Sequence, residues 1–311
     1  MMVIIILCIL FADDTTLGVS DTDLETLKSK FKHLVEKLLI WCSNNRLDIN
    51  WSKTFCMFVA NNNINNTKII DETNNIEIND YIKINVVDNF KLLGVTIDNK
   101  FNFSKFINET CLKINKKIYS IKKIFYLSTS VKLQFFKSFI LSYFDYCVSL
   151  TIYMPKVTIQ KLCNCYYSCL NKLFKFNLVN KDLDEINTYL KNYNLFAIQY
   201  RILYRICLFS YKVIKSPKSP PNLKNQLKSN SERGIGYNLR NRDNFSQPKT
   251  NNRYGDFTFN YIISKFLNKF PLHTFENVNT LKKHILANLK NNYVNFSGLF
   301  PHFDLYCKIY T

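Results

Sequence analysis

The chain has 311 residues, carries 42 Lys+Arg against 23 Asp+Glu for a net charge of +19, and is 47% hydrophobic and 15% aromatic. That apolar content excludes a disordered tail, and the length allows two or three compact units, each with its own core. A basic excess of this size favours a polyanion, most simply nucleic acid, through phosphate contacts and counterion release. The abundance of Asn, Lys and Ile also fits an AT-rich coding sequence, and the basic residues are spread along the chain rather than gathered in one patch.

In chain order, an apolar run from Val3 to Leu10 leads into Phe11-Ala12-Asp13-Asp14. A strand that ends in two adjacent carboxylates places negative charge at a tight turn. Oxygen ligands of this kind suit Mg²⁺, which binds through one or two carboxylates plus substrate phosphates. Two-metal phosphoryl transfer needs at least one further carboxylate, and an Asp pair is also an ordinary turn or helix cap. The run is shorter than the roughly 20 apolar residues of a membrane span. It lacks the positive n-region of a secretory signal and ends in two aspartates. A buried strand is therefore expected, in a chain that is nuclear or cytoplasmic, not secreted and not in a membrane.

Thr22 and Glu25 have the spacing of a capping box. Leu24, Leu27, Phe31, Leu34, Leu38 and Trp41 then recur with the period of one helix face. Leu47, Ile49 and Trp51 alternate, as do Phe55, Met57 and Val59, which predicts a strand pair or hairpin over 47–60. Asn61 to Asn66 reads as a polar turn. Ile76 and Ile78, then Ile82, Ile84 and Val86, alternate again, and Leu93, Val95 and Ile97 make a short strand. From Ser104 the period becomes helical. Ile107, Cys111, Ile114, Ile118, Ile121 and Phe125 form the apolar stripe, with Lys113, Lys116, Lys117, Lys122 and Lys123 on the other faces. Such lysines are ordinarily solvated.

Further helices are expected at about 129–150, 156–176 and 183–215, ended by a Pro-rich linker from Ser216 to Pro221. Residues 222–256 are polar, with Arg233, Arg240, Arg242 and Arg253 interspersed with Tyr237 and Tyr254. This composition suits single-stranded nucleic acid and suits an ordinary surface loop equally. A last helical stretch covers about 257–292. The ten cysteines fit a reducing compartment. Cys8, Cys56, Cys111, Cys147 and Cys207 fall in apolar stretches, and Cys163, Cys165 and Cys169 read as helix packing ahead of zinc. His33, His273, His284 and His302 show no ligand spacing.

Several of these segments resemble, in order, those of non-LTR retrotransposon reverse transcriptases. Phe11-Ala12-Asp13-Asp14 is similar to the metal-binding "[YF]-A-D-D" segment. Trp41, Asn45, Leu47, Ile49, Asn50, Lys53 and Thr54 resemble "W…N-x-L-x-[IL]-N-x-x-K-T". Leu93-Gly94-Val95, Ile97-Asp98, Phe101 and Phe103 resemble the "LGV-x-[IL]-D" segment that forms the primer grip in that family. Leu141 and Asp145-Tyr146-Cys147 are similar to "L-D-Y-C". Tyr237, Leu239, Arg240, Arg242, Tyr254 and Tyr261 continue the resemblance, and Leu267-Asn268 with Phe270-Pro271 stands where relatives read "W-N-x-L-P".

The resemblance implies an α+β fold: a partial polymerase palm, with a small antiparallel sheet and a helix, over 1–100. A mainly helical thumb would follow over 101–215, then a polar basic linker over 216–256 and a C-terminal helical region over 257–311. It implies Asp13 and Asp14 as Mg²⁺ ligands. Lys53 is implied as the lysine that protonates pyrophosphate, although a solvated loop lysine is an equal reading. Leu93, Gly94 and Val95 would hold the primer end. Lys113, Lys116, Lys117, Lys122, Lys123, Arg240 and Arg242 would contact an RNA template and a DNA primer. The first palm Asp and the fingers are missing, since the ten residues before the motif hold no carboxylate. Asp71, Asp80, Asp88, Asp98 and Asp145 read as isolated acids. The expectation is therefore the C-terminal half of an RNA-directed DNA polymerase, inactive alone and completed by a missing N-terminal half. The alternatives are a non-catalytic nucleic-acid-binding remnant and an unrelated membrane-associated or secreted helical protein.

Overall fold

A computed structural model describes residues 7–11, 14–59, 75–123, 126–176, 178, 181–233, 243–250 and 255–299. The chain is mixed α+β and mostly helical (62%), with small sheets near the N-terminal part followed by a helical region. It divides into two compact units, Met1–Lys100 and Phe101–Thr311.

The first unit opens with an antiparallel hairpin, β1 (Leu7–Phe11) and β2 (Asp14–Gly18), in register from Leu7↔Gly18 to Phe11↔Asp14. Helix α1 (Leu24–Asn44) follows. Its cap is Asp23 rather than the expected Thr22, because the Asp23 carboxylate accepts from Thr26 N (2.8 Å) and Thr26 Oγ1 (2.7 Å). Of its apolar residues Val35 and Cys42, seven apart, are buried, whereas Trp41 falls off that seam and is 55% exposed.

The hairpin expected over 47–60 does not form. Asn50 draws the chain into a 3₁₀ turn, Trp51–Lys53. Its carbonyl accepts from Lys53 N (3.1 Å) and Thr54 Oγ1 (2.9 Å), and its side chain from Ser52 Oγ (2.6 Å). Local side-chain bonds thus win over alternation. Only β3 (Phe55–Cys56) is extended, and it pairs parallel with β5 (Lys83–Val86), whose other edge carries antiparallel β4 (Asn75–Glu77). A second hairpin joins β6 (Asn89–Leu92) to β7 (Val95–Asp98). Among the described residues the first unit therefore holds three small sheets, one of them mixed, rather than the single antiparallel sheet expected. The polar turn expected at 61–66 lies outside the described residues.

The second unit begins with α2 (Ser104–Lys122); of the expected stripe, Ile107, Ile114, Ile118 and Ile121 are buried, Cys111 is half-buried, and Phe125 lies outside the described residues. The next helical stretch is three joined pieces: α3 (Thr129–Phe135), a π turn (Phe136–Ile140) and α4 (Leu141–Asp145). It stops short of 150 where Cys147 turns left-handed (φ 51°) and a 3₁₀ turn, Val148–Tyr153, takes over. Helix α5 (Lys156–Phe174) is pinned to α2 by a Ser104–Thr158 hydroxyl pair at 3.0 Å.

The helix expected over 183–215 is two, α6 (Leu183–Lys191) and α7 (Ile198–Lys215). They are parted at left-handed Asn194, and Asn187 Oδ1 accepts from Ala197 N at 3.2 Å across the break. Helix α7 is buried almost all round, and α5, the short α8 (Pro221–Lys224) and the C-terminal helices pack on it. A helix buried on most of its sides is the centre of its unit. The 257–292 stretch resolves into α9 (Phe259–Lys269), α10 (Val278–Ala287) and α11 (Leu289–Leu299), broken first at Pro271. The segment before α9 is more than a linker. Ser229 bridges Phe245, and Asn268 clamps the Phe245 backbone from both sides, accepting at 2.7 Å and donating at 2.9 Å.

Beside that clamp, His273 stands edge-on to Phe245 at 5.3 Å, its Nδ1 buried without a partner. Burial, assisted by Lys215 and opposed by Asp243, lowers its pKa below the ordinary 6.5. The unfolded chain therefore takes up the proton first, so this contribution to stability is complete above pH 6.5 and lost as the pH falls below it. The unfolding midpoint is expected to drop from pH 7.5 to pH 5.5, and H273F should flatten that drop. Equal drops in both proteins would show that His273 is not the group titrating.

Candidate functional site

Of the Asp pair, Asp14 opens β2. Asp14 pairs with Phe11 as the last rung of the β1–β2 hairpin and is exposed, whereas Ala12 and Asp13 lie outside the described residues. Asp14 alone does not make a metal site. Among the described residues no group of three or more His, Cys, Asp or Glu is placed to hold a metal ion. Lys53 is exposed at the end of its 3₁₀ turn.

Leu93 and Gly94 form the two-residue loop of the β6–β7 hairpin, both at positive φ (47° and 86°). A loop of this hand matches the twist of its strands and wants Asn or Gly at both places. Glycine meets that demand at 94. Leucine at 93 is held in a region that costs an L-residue on the order of 1–2 kcal/mol, and its side chain is 44% exposed. Val95 is buried beneath the loop. The three residues thus form a strained, rigid tip with an apolar side chain presented outward.

In the second unit α2 presents its basic face between two packed flanks. Cys111 and Asn108 face α5, where Lys161 Nζ donates to Asn108 Oδ1 at 3.5 Å. On the opposite flank Lys117 Nζ lies over the Tyr143 ring (5.0 Å) and the Phe139 ring (5.9 Å). The outer face between them carries Lys105, Leu112, Lys116, Tyr119 and Lys123, all exposed, with Lys123 Nζ over Tyr119 at 5.6 Å. Lys113 is exposed on the Lys117 side. Lys116 and Lys123 are about 10.5 Å apart along the axis at 1.5 Å per residue. With half-buried Glu109 on the same side, the face combines ammonium groups, apolar surface and one carboxylate. Lys122 belongs to the helix, but its side chain is not described, and Arg240 and Arg242 fall outside the described residues.

The cysteine cluster packs as its apolar setting suggests. Cys163, Cys165 and Cys169 are buried in α5, and Cys111 of α2 hydrogen-bonds Cys165. The Cys111 hydrogen bond holds the Cys165 thiol down, but the Cys169 thiol and burial together outweigh it and push Cys165 up to about 12.

One charged cluster was not legible in advance. Asp145 closes α4, and its carboxylate accepts from Arg201 Nε and Nη2, each at 2.6 Å, and from Arg205 Nη2. The Asp145, Arg201 and Arg205 side chains are 18%, 15% and 39% exposed. Arg205 Nε is buried with no acceptor, which costs on the order of 1–3 kcal/mol. The i,i+4 arginine spacing was the one available signal, because the 56 and 60 residues back to Asp145 carry none.

Family models, curated proteins and solved structures all yield no match to this chain. No helix among the described residues is long and apolar enough to cross a membrane.

Proposed function

We propose that this chain is part of a non-LTR retrotransposon RNA-directed DNA polymerase, with the end of the palm over 1–100 and a thumb after it. In this reading it binds RNA template and DNA primer and does not extend a primer by itself. The observation that carries the reading is the lysine-rich outer face of α2 with Leu112 and Tyr119 exposed among the lysines, on a chain of net charge +19. Lys113, Lys116, Lys117, Lys122 and Lys123 contact phosphates, which supplies most of the affinity and makes it fall with salt. The strained Leu93–Gly94 tip takes the primer end, as backbone strain often gathers where a chain meets its ligand. The hairpin that ends at Asp14 suits the metal-binding turn, where Mg²⁺ would stabilise the charge of a transferring phosphoryl group. That chemistry needs a carboxylate beyond Asp13 and Asp14. A missing palm half would supply it, and the exposed Ile40, Trp41, Phe55 and Val59 suit a covering segment. Without it, the non-catalytic remnant is the reading the acids favour.

The test is direct. The purified chain is titrated into a fluorescein-labelled RNA–DNA hybrid at several salt concentrations, then assayed for primer extension with Mg²⁺ and deoxynucleotides. Binding that weakens with salt and yields no extension is expected. Extension by the chain alone would overturn the inactivity, and no binding at 50 mM salt would sink the polymerase reading altogether.

A further inference from the structure

The strongest unassigned feature is the charge imbalance at the end of α4. Arg201 spans both oxygens of Asp145 through Nε and Nη2, and that pair is already neutral and geometrically complete. Arg205 contributes a single N–H to an oxygen already occupied, with its Nε left without an acceptor. Two guanidiniums against one carboxylate leave a net positive charge, next to which a third cation would be repelled and an anion held. Arg205 is also the more exposed of the two arginines, 39% against 15%. One end of its fork is pinned by Asp145 and its Nε is buried, so the donors left to a ligand are the remaining Nη N–H groups of this partly exposed side chain, held by that pin. Tyr204, half-buried on the same turn of α7, lies close enough to feel both guanidiniums.

A planar fork with spare donors and surplus charge fits an oxyanion that accepts two parallel N–H bonds. On a chain this basic, we propose that Arg205 receives a phosphodiester group of a nucleic-acid strand, with Arg201 and Asp145 as the residues that position it. This rests on the nucleic-acid reading above and adds a contact on α7, away from the α2 lysines. Asp145 then has two tasks: it aims Arg205, and it limits the charge of the pair so that the two guanidiniums tolerate each other.

The test compares the unmodified chain with R205M and R205K, using a labelled single-stranded RNA over a range of salt. Methionine keeps the apolar stem and leaves the neutral Arg201–Asp145 pair, so the unfolding midpoint should not fall. Removing one phosphate-binding charge lowers the salt slope by about 0.7, which is about fivefold in affinity at 0.1 M relative to 1 M salt. R205K, which keeps the charge but not the fork, should retain most of the slope. Unmodified chain that binds RNA beside an R205M slope identical to it overturns this site and leaves the parent reading intact. Failure of the unmodified chain to bind RNA sinks both. A parallel titration with poly-glutamate decides the ligand class. If R205M loses poly-glutamate binding and keeps its RNA slope, the fork takes carboxylates and the proposal is wrong.

Discussion

Replacing Lys113, Lys116, Lys117 and Lys123 together by alanine should reduce affinity for a duplex by about three and a half orders of magnitude at 0.1 M relative to 1 M salt. Each lysine that neutralises a phosphate adds about 0.9 to the salt slope, so four of them account for about 3.6. Three of the four are exposed and the fourth rests on two rings, so none carries the core of the unit. Alanine is the best helix former, so α2 should persist. Far-UV circular dichroism and the unfolding midpoint check that point. The titration then reads the loss of charge alone. A slope that changes by less than one would mean that the basic face of α2 is merely solvated, as an isolated amphipathic helix would be.

The second large effect concerns stability. Truncating Asp145 to alanine leaves Arg201 and Arg205 facing each other with no carboxylate between them. Breaking a buried pair by removing one partner costs about 3–5 kcal/mol. The cluster is partly exposed (18% at Asp145), so the lower end, about 3 kcal/mol, is the expected loss. For a unit of this size that is a fall of about 6–12 °C in midpoint, at 2–4 °C per kcal/mol. D145L with R201M and R205M, which removes the cluster as a whole, should recover much of the loss. If the triple variant is no more stable than D145A, the three residues are not coupled and the ion pairs contribute little.

These two cases differ in how visible they were from sequence. The α2 stripe is a local pattern: Ile107, Ile114, Ile118 and Ile121 repeat at helical spacing, and burial follows from the repeat. The same holds for the alternating Ile76 and Ile84, which lie buried in paired strands. Asp145 with Arg201 and Arg205 is the opposite case, because an ion pair over 56 residues depends on how α4 and α7 pack and leaves no mark on either segment. Where local chemistry competed with periodicity, periodicity lost. Asn50 capped a 3₁₀ turn at Trp51–Lys53 where alternation had pointed to a strand, and Asn194 broke a helix whose apolar spacing ran on to 215. At the candidate site the hairpin that closes at Asp14 was readable as turn chemistry, but the Leu93–Gly94 loop was not: alternation put Leu93 in one strand with Val95 and Ile97, and leucine gives no warning of a positive φ.

The π turn at Phe136–Ile140 has a consequence for everything after it. A wide turn of this kind is one residue more than an α-helix would use, and each residue advances the helix by about 100°. It sets the phase of the last helical turn, so that Phe136, Ile140 and Phe144 all point into the core. The same phase decides where Asp145 looks. With that extra residue removed, the carboxylate would rotate by about a quarter turn, and the charge now shared with two arginines would face a different neighbour. The aim of a charged cluster is thus set by a counting irregularity five to nine residues upstream, in a stretch that carries no charge of that cluster.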